Sequence, residues 1–508
     1  MNKIIIFFAA ASLLLLQACE RNSAELQQLG HQSVLGICPG FEETGKAPLV
    51  NGAECGELKV KENPQDSNSR VIALNILRLP AISPAPDKDP VFLIQGGPGG
   101  SSVEMAKQIH AAFQDVRKNR DLIFVDQRGT GKSNPMKCKT PPENLKQMAE
   151  ELQEEWADNE IKRCAEEFKD TGKFYTTSYA VGDLEKVRVT LGYESINLWG
   201  GSYGTRVAME YAREYPQHLR SMVLDGVAPV ELALPDYFAR DAMQSLIKIN
   251  EQCVKDEECF ALYGNMLDKI SIILARLEKA EAEDKPIAIN YINSQNNQVE
   301  TSRLNSKEFS GLIFLALYSR DLSALFPQII SDAEKERYQA LIGLNNLSTK
   351  SFNQLNVSDA MRYSVVCNED RHVLNPHSDE LPKMFLASSF AKDMDKVCAV
   401  WPKANVSESY FQPLKTDVPS LLLSGGFDPV TPELWAKSAS LHMSNSLSLV
   451  APGGHHIVSM EGCVPQLIAQ FYERGSVKNL NADCITDILP LPTNLGANRN
   501  KKSKEDEQ

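Results

Sequence analysis

The sequence predicts an α/β protein with a mostly parallel central sheet. Short apolar runs near residues 91, 122, 196, 221, 419 and 447 are typical of buried parallel strands. Helical patterns such as those at 179–191 and 205–215 separate several of them, and an alternating run at 70–77 is typical of a strand in an antiparallel edge of the sheet. Alternating strands and helices indicate a sheet that helices cover on both faces.

The alternation stops after residue 227 and resumes at 419, with a mainly helical stretch between them. A polar segment at 290–301 within this stretch predicts a hairpin. Because core strands occur on both sides, we interpret the stretch as an insertion and expect it to cap the carboxyl ends of the strands. The predicted organisation is listed in chain order: a leader at 1–18, an N-terminal arm at 19–55, core at 56–228, a helical cap at 229–415, core again at 416–490 and a disordered tail at 491–508.

A serine within a glycine-rich turn is the strongest functional signal. The five residues Gly200-Gly201-Ser202-Tyr203-Gly204 come directly after the apolar run at 196–199. The pattern Gly-x-Ser-x-Gly predicts a tight strand-to-helix turn that lifts one hydroxyl above the sheet as a nucleophile. Short Gly/Ser patterns also occur by chance in loops, so the interpretation depends on the partners of Ser202.

Those partners follow in the order that this kind of sheet requires, first an acid and then a histidine. Asp428 comes after the predicted strand at 419–425, and His455 and His456 come after the predicted strand at 446–450. An imidazole is needed to take the serine proton, and a carboxylate to orient that imidazole. Either histidine fits this pattern.

A glycine-rich loop at 95–100 completes the predicted site. It follows the apolar run at 91–94, and its glycines allow the backbone to approach a bound atom closely. We predict an oxyanion hole formed by the backbone N–H groups of Gly97 and Tyr203. A phosphate-binding loop is disfavoured, because the Lys-Ser/Thr pair of such loops is missing. This chemistry requires no metal and no organic cofactor.

These segments resemble the α/β-hydrolase serine peptidases of family S33, which include proline iminopeptidases and tripeptidyl aminopeptidases. The similar segments are Gln95-Gly96-Gly97-Pro98-Gly99, the Asp-Gln-Arg-Gly-x-Gly-x-Ser loop at 126–133, the turn at 201–204 and the acid loop at 426–432. The resemblance covers about residues 50–230 and 415–475. It implies an α/β-hydrolase fold and an exopeptidase that forms an acyl-enzyme on Ser202. It also selects His455 as the base, because the family's histidine usually comes first after Gly-Gly.

The resemblance extends to residues 367–370 of the cap, which are similar to a segment of the tripeptidyl aminopeptidases. It implies that Glu369 and Asp370 hold the free amine of a peptide substrate, which carboxylates can do by charge-assisted hydrogen bonds. The alternative is a solvated acidic turn beside a disulfide. For Asp126 and Arg128 we favour a structural role, because ion pairs of this kind commonly organise loops.

Two other functions stay open at this point. An esterase or lipase-like hydrolase would use the same site, since a fold does not dictate its substrate. A catalytically silent binding protein is disfavoured, because each catalytic position carries a competent residue. If the exopeptidase implied by the resemblance is right, the partners are peptides with a free amino terminus. The sequence does not determine the oligomeric state.

The amino terminus indicates export from the cytoplasm. Lys3 precedes an apolar run at 4–16, which is short for a membrane span and is typical of a signal peptide. Leu16-Gln17-Ala18-Cys19 is similar to a bacterial lipobox, which predicts lipid attachment at Cys19 and anchoring in the cell envelope. The alternative is an ordinary secretory signal that leaves Cys19 as a free thiol.

Cysteine usage and charge agree with this compartment. The chain has 11 cysteines, so ten are left to pair if Cys19 carries lipid. The economical prediction is sequential pairing, Cys38–Cys55, Cys138–Cys164, Cys253–Cys259, Cys367–Cys398 and Cys463–Cys484. Structural zinc is disfavoured because no Cys-x-x-Cys occurs. The net charge of −13 disfavours binding to nucleic acid or to anionic membrane surfaces.

Overall fold

A computed structural model of the chain describes residues 34–39, 49–142, 145, 148, 150–293, 297–344, 347, 356–371, 386 and 388–494. The predicted leader, the predicted lipid attachment site Cys19 and residues 495–508 of the predicted tail lie outside the described residues.

A nine-stranded sheet forms the core, in the order β1-β2-β3-β5-β4-β6-β7-β10-β11. The neighbouring pairs β1–β2, β2–β3 and β3–β5 are antiparallel. The pairs β5–β4, β4–β6, β6–β7, β7–β10 and β10–β11 are parallel. Their bounds are Leu35–Ile37, Glu54–Lys61, Val71–Leu79, Val91–Ile94, Leu122–Val125, Ile196–Gly201, Leu219–Asp225, Ser420–Gly425 and Ser446–Ala451 for β1–β7, β10 and β11. The predicted α/β fold, with its mostly parallel sheet and antiparallel edge, is confirmed.

Helices cover both faces of this sheet because successive strand residues point to opposite sides. In β10, Leu422 packs into one hydrophobic core, and its neighbours Leu421 and Leu423 pack into the other. The helices on the Leu422 side are α4 (Thr177–Thr190), α5 (Tyr203–Glu214) and α14 (Glu433–Ser440). Those on the opposite side are α1 (Ser102–Ile109), α2 (Gln114–Arg117) and α15 (Val464–Arg474). The helix α3 (Glu150–Glu167) contributes Cys164 and Ala165 to the first core.

The chain between β7 and β10 adds no described strand to the main sheet, although those two strands are neighbours in it. Its hairpin of β8 (Ile287–Asn293) and β9 (Gln298–Leu304) confirms the predicted one. Among its described helices are Phe238–Lys255, Glu257–Tyr263, Met266–Ala282, Ser306–Ala316, Arg320–Ser323, Phe326–Glu334, Asp359–Val365 and Ser388–Val400, which we number α6–α13. The domain boundaries at 228 and 415 stay a prediction.

The insertion has a hydrophobic core of its own, and that core reaches the sheet. Most members of this cluster come from α6 to α11 and the hairpin, but Phe427 and Val430 also belong to it. These two residues flank Asp428 in the loop after β10. The insertion therefore packs directly against the loop that carries the predicted catalytic acid.

Five disulfides join the ten predicted partners in the predicted sequential pairing. Disulfides persist in oxidising compartments, so this protein is extracytoplasmic. Of the described helices, none has the length and apolar character that a membrane crossing needs. The described residues contain one group of three potential metal ligands, Cys138, Glu160 and Cys164. The two cysteines of this group form a disulfide with each other.

We expect Leu422→Ala to destabilise the protein by about 3 kcal/mol, because it opens a cavity in the middle of the sheet. Leu422 is 0% exposed and lies on a strand that is paired on both sides. Leu441→Ala is the matched control, since Leu441 is 79% exposed. Denaturant unfolding measures both variants, and equal effects of the two substitutions would contradict this account of the core.

Candidate active site

Ser202 lies in the tight turn between β6 and α5, as the sequence predicts. Its backbone angles are φ 55° and ψ −127°, a strained conformation for a residue with a side chain. The backbone N–H of Ser202 donates to the carbonyl of Asp225 at 2.8 Å, which holds the turn against the end of β7. This hydrogen bond to β7 helps to hold Ser202 in its strained conformation, at the junction of β6 and α5.

The glycines of this turn are required by close packing. A Cβ at Gly200 would lie 2.4 Å from the carbonyl oxygen of Gly204, and one at Gly204 would lie 2.3 Å from the carbonyl oxygen of Ile94. Neither contact is possible for a real side chain. The helix α5 can therefore start directly behind the serine only if both positions are glycine.

The structure pairs Asp428 with His456, and this corrects the prediction of His455. Nδ1 of His456 lies 2.9 Å from Oδ2 of Asp428. Asp428 is 2% exposed and also accepts hydrogen bonds from the N–H groups of Val430 and Thr431 and from the hydroxyl of Thr431. With Nδ1 donating to the carboxylate, Nε2 of His456 is left as a proton acceptor, which is the form that a general base needs.

His455 points away from Asp428 and into the insertion. Its Nδ1 lies 2.7 Å from the carbonyl oxygen of Leu317, and its ring stacks on Phe427 with centroids 5.5 Å apart. It is 5% exposed. His455 therefore links the histidine loop to the cap, next to Tyr318, whose ring meets that of His456 edge to face at 5.1 Å.

Electrostatics around Asp428 favour an ionised acid and a basic imidazole. Burial by itself raises the pKa of Asp428, but His456 and the hydrogen-bond donors of Val430 and Thr431 outweigh it, so that pKa lies below its usual value. Burial lowers the pKa of His456, whereas the attraction and the hydrogen bond of Asp428 raise it, with a net rise above 6.5. For His455 burial dominates, and the pKa is lowered.

Asp225 is a functional residue that the sequence motifs did not reveal. Its carbonyl holds the N–H of Ser202, and its carboxylate accepts from the N–H groups of Val458 and Ser459 at 3.0 and 2.7 Å. The hydroxyl of Ser459 also donates to Asp225 and in turn accepts from the indole of Trp199 at 2.9 Å. One buried residue thus connects the serine turn with the loop that carries His456. Its only sequence signal was its position at the end of a predicted strand.

The glycine-rich loop after β4 lies against the serine turn. A Cβ at Gly96 would lie 2.8 Å from Cβ of Ser202 and 2.9 Å from the backbone nitrogen of Tyr203. Gly97 is exposed and has φ 121°, a conformation that favours glycine. Tyr203 begins α5, where N–H groups have no acceptor within the helix. The loop therefore brings the two expected oxyanion donors to the neighbourhood of Ser202.

The loop at 126–133 makes structural contacts. Asp126 accepts from the side chains of Ser101 and Asn75 and from two backbone N–H groups. Arg128, which is 0% exposed, forms a two-pronged ion pair with Asp183 and donates to two backbone carbonyls. These bonds brace the loops beneath the site, in agreement with the structural role favoured from the sequence.

The acidic residues of the cap segment are not presented to a substrate. Glu369 is 1% exposed and binds Thr177 and Tyr410, and Asp370 is 0% exposed and forms an ion pair with Arg206 at 2.7 Å. The prediction that they hold a peptide's amine does not fit this burial. The solvated acidic turn weighed as the alternative is also wrong. Only the tertiary structure could reveal these partners, which are far away in the sequence.

Comparison with protein families places the fold in a known group. The model of the α/β-hydrolase fold matches residues 89–250, and the model of TAP-like proteins matches residues 383–484. The chain is an α/β hydrolase. The first match contains Ser202, and the second contains Asp428 and His456, so the two matches together include the serine, acid and histidine described above.

Curated relatives of this α/β hydrolase agree with the resemblance seen in its motifs. It is 25% identical to the serine protease Hip1 of Mycobacterium tuberculosis over 471 residues, which cover 86% of this chain and 88% of Hip1. It is 28% identical to the tripeptidyl aminopeptidase of Streptomyces lividans over 193 residues, covering 35% and 36% of the two chains. It is 31% identical to the proline iminopeptidase of Xylella fastidiosa over 142 residues, covering 28% and 33%. The predicted relation to S33 peptidases is confirmed.

We expect His456→Ala to lower kcat/KM at least about 10³-fold, because it removes the proton acceptor that Asp428 orients. His455→Asn is the matched control, since an amide can keep the hydrogen bond to the carbonyl of Leu317. That variant should retain activity of the same order as the parent. The opposite ranking of the two variants would restore the prediction of His455.

The pH dependence gives a second check on the same pair. Serine attack requires neutral His456, so kcat/KM falls as the pH drops through the pKa of this group. Because Asp428 raises that pKa, the acidic limb should lie above the ordinary value of 6.5. Initial rates between about pH 5 and pH 9 measure it. A limb at or below 6.5 would contradict the ion pair in the resting enzyme.

Proposed function

We propose that this α/β hydrolase is a serine peptidase that removes residues from the free amino end of peptides through an acyl-enzyme. The observation that carries the proposal is that Ser202, in its strained turn after β6, and the hydrogen-bonded pair of Asp428 and His456, after β10 and β11, all follow the carboxyl ends of parallel strands of one sheet. This arrangement supports acyl transfer. The relation to peptidases over most of the chain supports a peptide as the acyl donor.

Each residue has one role in the proposed reaction. The hydroxyl of Ser202 attacks the peptide carbonyl while His456 takes its proton, and Asp428 stabilises the resulting imidazolium. The N–H groups of Gly97 and Tyr203 stabilise the negative charge on the tetrahedral intermediate. His456 then returns the proton to the leaving amine, and water releases the acyl group by the reverse sequence.

The lipid anchor at Cys19 and a location in the bacterial cell envelope belong to the proposal as well. The five disulfides support an oxidising compartment. Attachment of lipid rests on the similarity of residues 16–19 to a lipobox. A membrane contact of this kind would come through lipid alone, in keeping with the acidic net charge.

The substrate class is tested with free and N-blocked aminoacyl, dipeptidyl and tripeptidyl anilides beside short acyl esters. We expect turnover of the free anilides and loss of activity when their amine is blocked. Ser202→Ala should retain at most the residual rate, roughly 10³-fold above the uncatalysed reaction, that the oxyanion hole and substrate binding can give without the nucleophile. The panel also shows how many residues are released and whether proline is preferred.

The panel separates the alternatives. Equal turnover of blocked and free anilides would overturn the exopeptidase, and hydrolysis of esters alone would identify an esterase. Activity of Ser202→Ala above that residual rate would exclude Ser202 as the nucleophile. A soluble, folded protein that turns over none of these substrates would favour a binding protein instead.

A further inference from the structure

A buried hydrogen-bond network connects the cap to the residue beside the nucleophile. The segment Val366–Asp370 forms a π-helical turn at the end of α12, a local geometry that is frequent at functional sites. All five of its residues are buried. The turn is held from two sides, by the disulfide of Cys367 with Cys398 and by hydrogen bonds of the Asn368 amide with residues 364, 402 and 404.

Glu369 projects from this turn to the start of α4. Its Oε1 accepts from the N–H of Thr177 at 2.6 Å, and its Oε2 accepts from the hydroxyls of Thr177 and Tyr410. Thr176, the residue that precedes the helix, makes no side-chain cap bond. The carboxylate therefore caps α4 from a distant part of the chain, where the N-terminal end of a helix favours negative charge.

The same threonine leads from Glu369 to Tyr203. The hydroxyl of Thr177 lies 2.6 Å from that of Tyr203. Burial raises the pKa of Glu369 to about 7. Above that pH the ionised carboxylate accepts the proton of Thr177, and the phenol of Tyr203 then donates to Thr177. Burial raises the pKa of Tyr203 and of Tyr410 well above the ordinary value, so both phenols keep the protons that this chain of donors requires.

Tyr203 is 1% exposed and follows Ser202 directly. Its side chain and its backbone N–H belong to the first residue of α5, so the hydrogen bond that fixes its phenol to Thr177 also restrains the direction of that N–H. An oxyanion donor is effective only when it is aimed in advance at the developing charge. The network thus helps to hold the backbone N–H of Tyr203 in place.

We propose that Glu369 is a positioning residue that, through Thr177, holds Tyr203 in the orientation its backbone N–H needs to stabilise the oxyanion. This inference rests on the acyl transfer proposed for Ser202, but not on the substrate being a peptide. It replaces the role in amine binding predicted from the sequence. It also makes the cap a support of the oxyanion hole, because Glu369 belongs to the inserted chain.

Tyr203→Phe and Glu369→Gln test the network. We expect each to lower kcat at least about ten-fold, short of the roughly 10²–10³-fold lost with a whole oxyanion donor, and to change KM little. The double variant should lose no more than the worse single variant, because both substitutions break one chain of bonds. Binding of a trifluoromethyl ketone, whose serine adduct carries an oxyanion, should weaken in parallel with kcat.

Tyr211→Phe is the matched control. Tyr211 lies on the same helix α5, about two turns after Tyr203; it is 0% exposed, and its hydroxyl donates to the carboxylate of Glu185 at 2.7 Å. Its variant should keep the parental kcat. If Tyr211→Phe and Tyr203→Phe reduce kcat equally, the effect is one of general stability and the proposal is overturned.

Two further outcomes would also overturn it. One is a Glu369→Gln variant that raises KM for free anilides while the hydrolysis of acyl esters is unaffected, since this identifies an amine ligand. The other is additivity of the two substitutions. Should Glu369→Gln fail to fold, Thr177→Val takes its place in the cycle. Ser202→Ala, run beside them, separates a failure of this inference from a failure of the proposed acyl transfer.

Discussion

The active site depends on the hydrogen bonds that Asp225 makes at the carboxyl end of β7. Its carbonyl fixes the serine turn, and its carboxylate fixes the loop that carries His456. These two loops are far apart in the chain but follow parallel strands of one sheet. Asp225 is 0% exposed, and burial raises its pKa to about 6 despite the three donors around it. A buried acidic residue therefore holds together the two loops that carry Ser202 and His456.

The cap takes part in the site at three places. Phe427 and Val430 pack into the cap core on either side of Asp428, and the carbonyl of Leu317 holds His455. Glu369 reaches back from the cap to Thr177 and, through it, to Tyr203. Insertions over a sheet are usually discussed as covers that select substrates. In this protein the insertion also contacts the acid loop, the histidine loop and the residue beside the nucleophile.

Much of the fold and of the site follows from local patterns in the sequence. Buried strands are short and apolar, and a nucleophile turn requires glycines because the backbone passes within van der Waals contact of its neighbours. The residue types Ser202 and Asp428 could thus be placed from the motifs alone. The sequential disulfide pairing was also predictable, because cysteines close in the chain are close in the fold at each of the five bridges.

The choice between His455 and His456 could not be made in this way. The two side chains are adjacent, and which one meets Asp428 depends on the direction in which the loop leaves β11, which contacts with Asp225 and the cap determine. Glu369 was misread for the same reason, because its partners lie at 177 and 410. The sequence by itself determined the elements and the reactive groups, since those depend on neighbours in the chain. Only the tertiary structure decided which groups face each other, since that depends on contacts between distant segments.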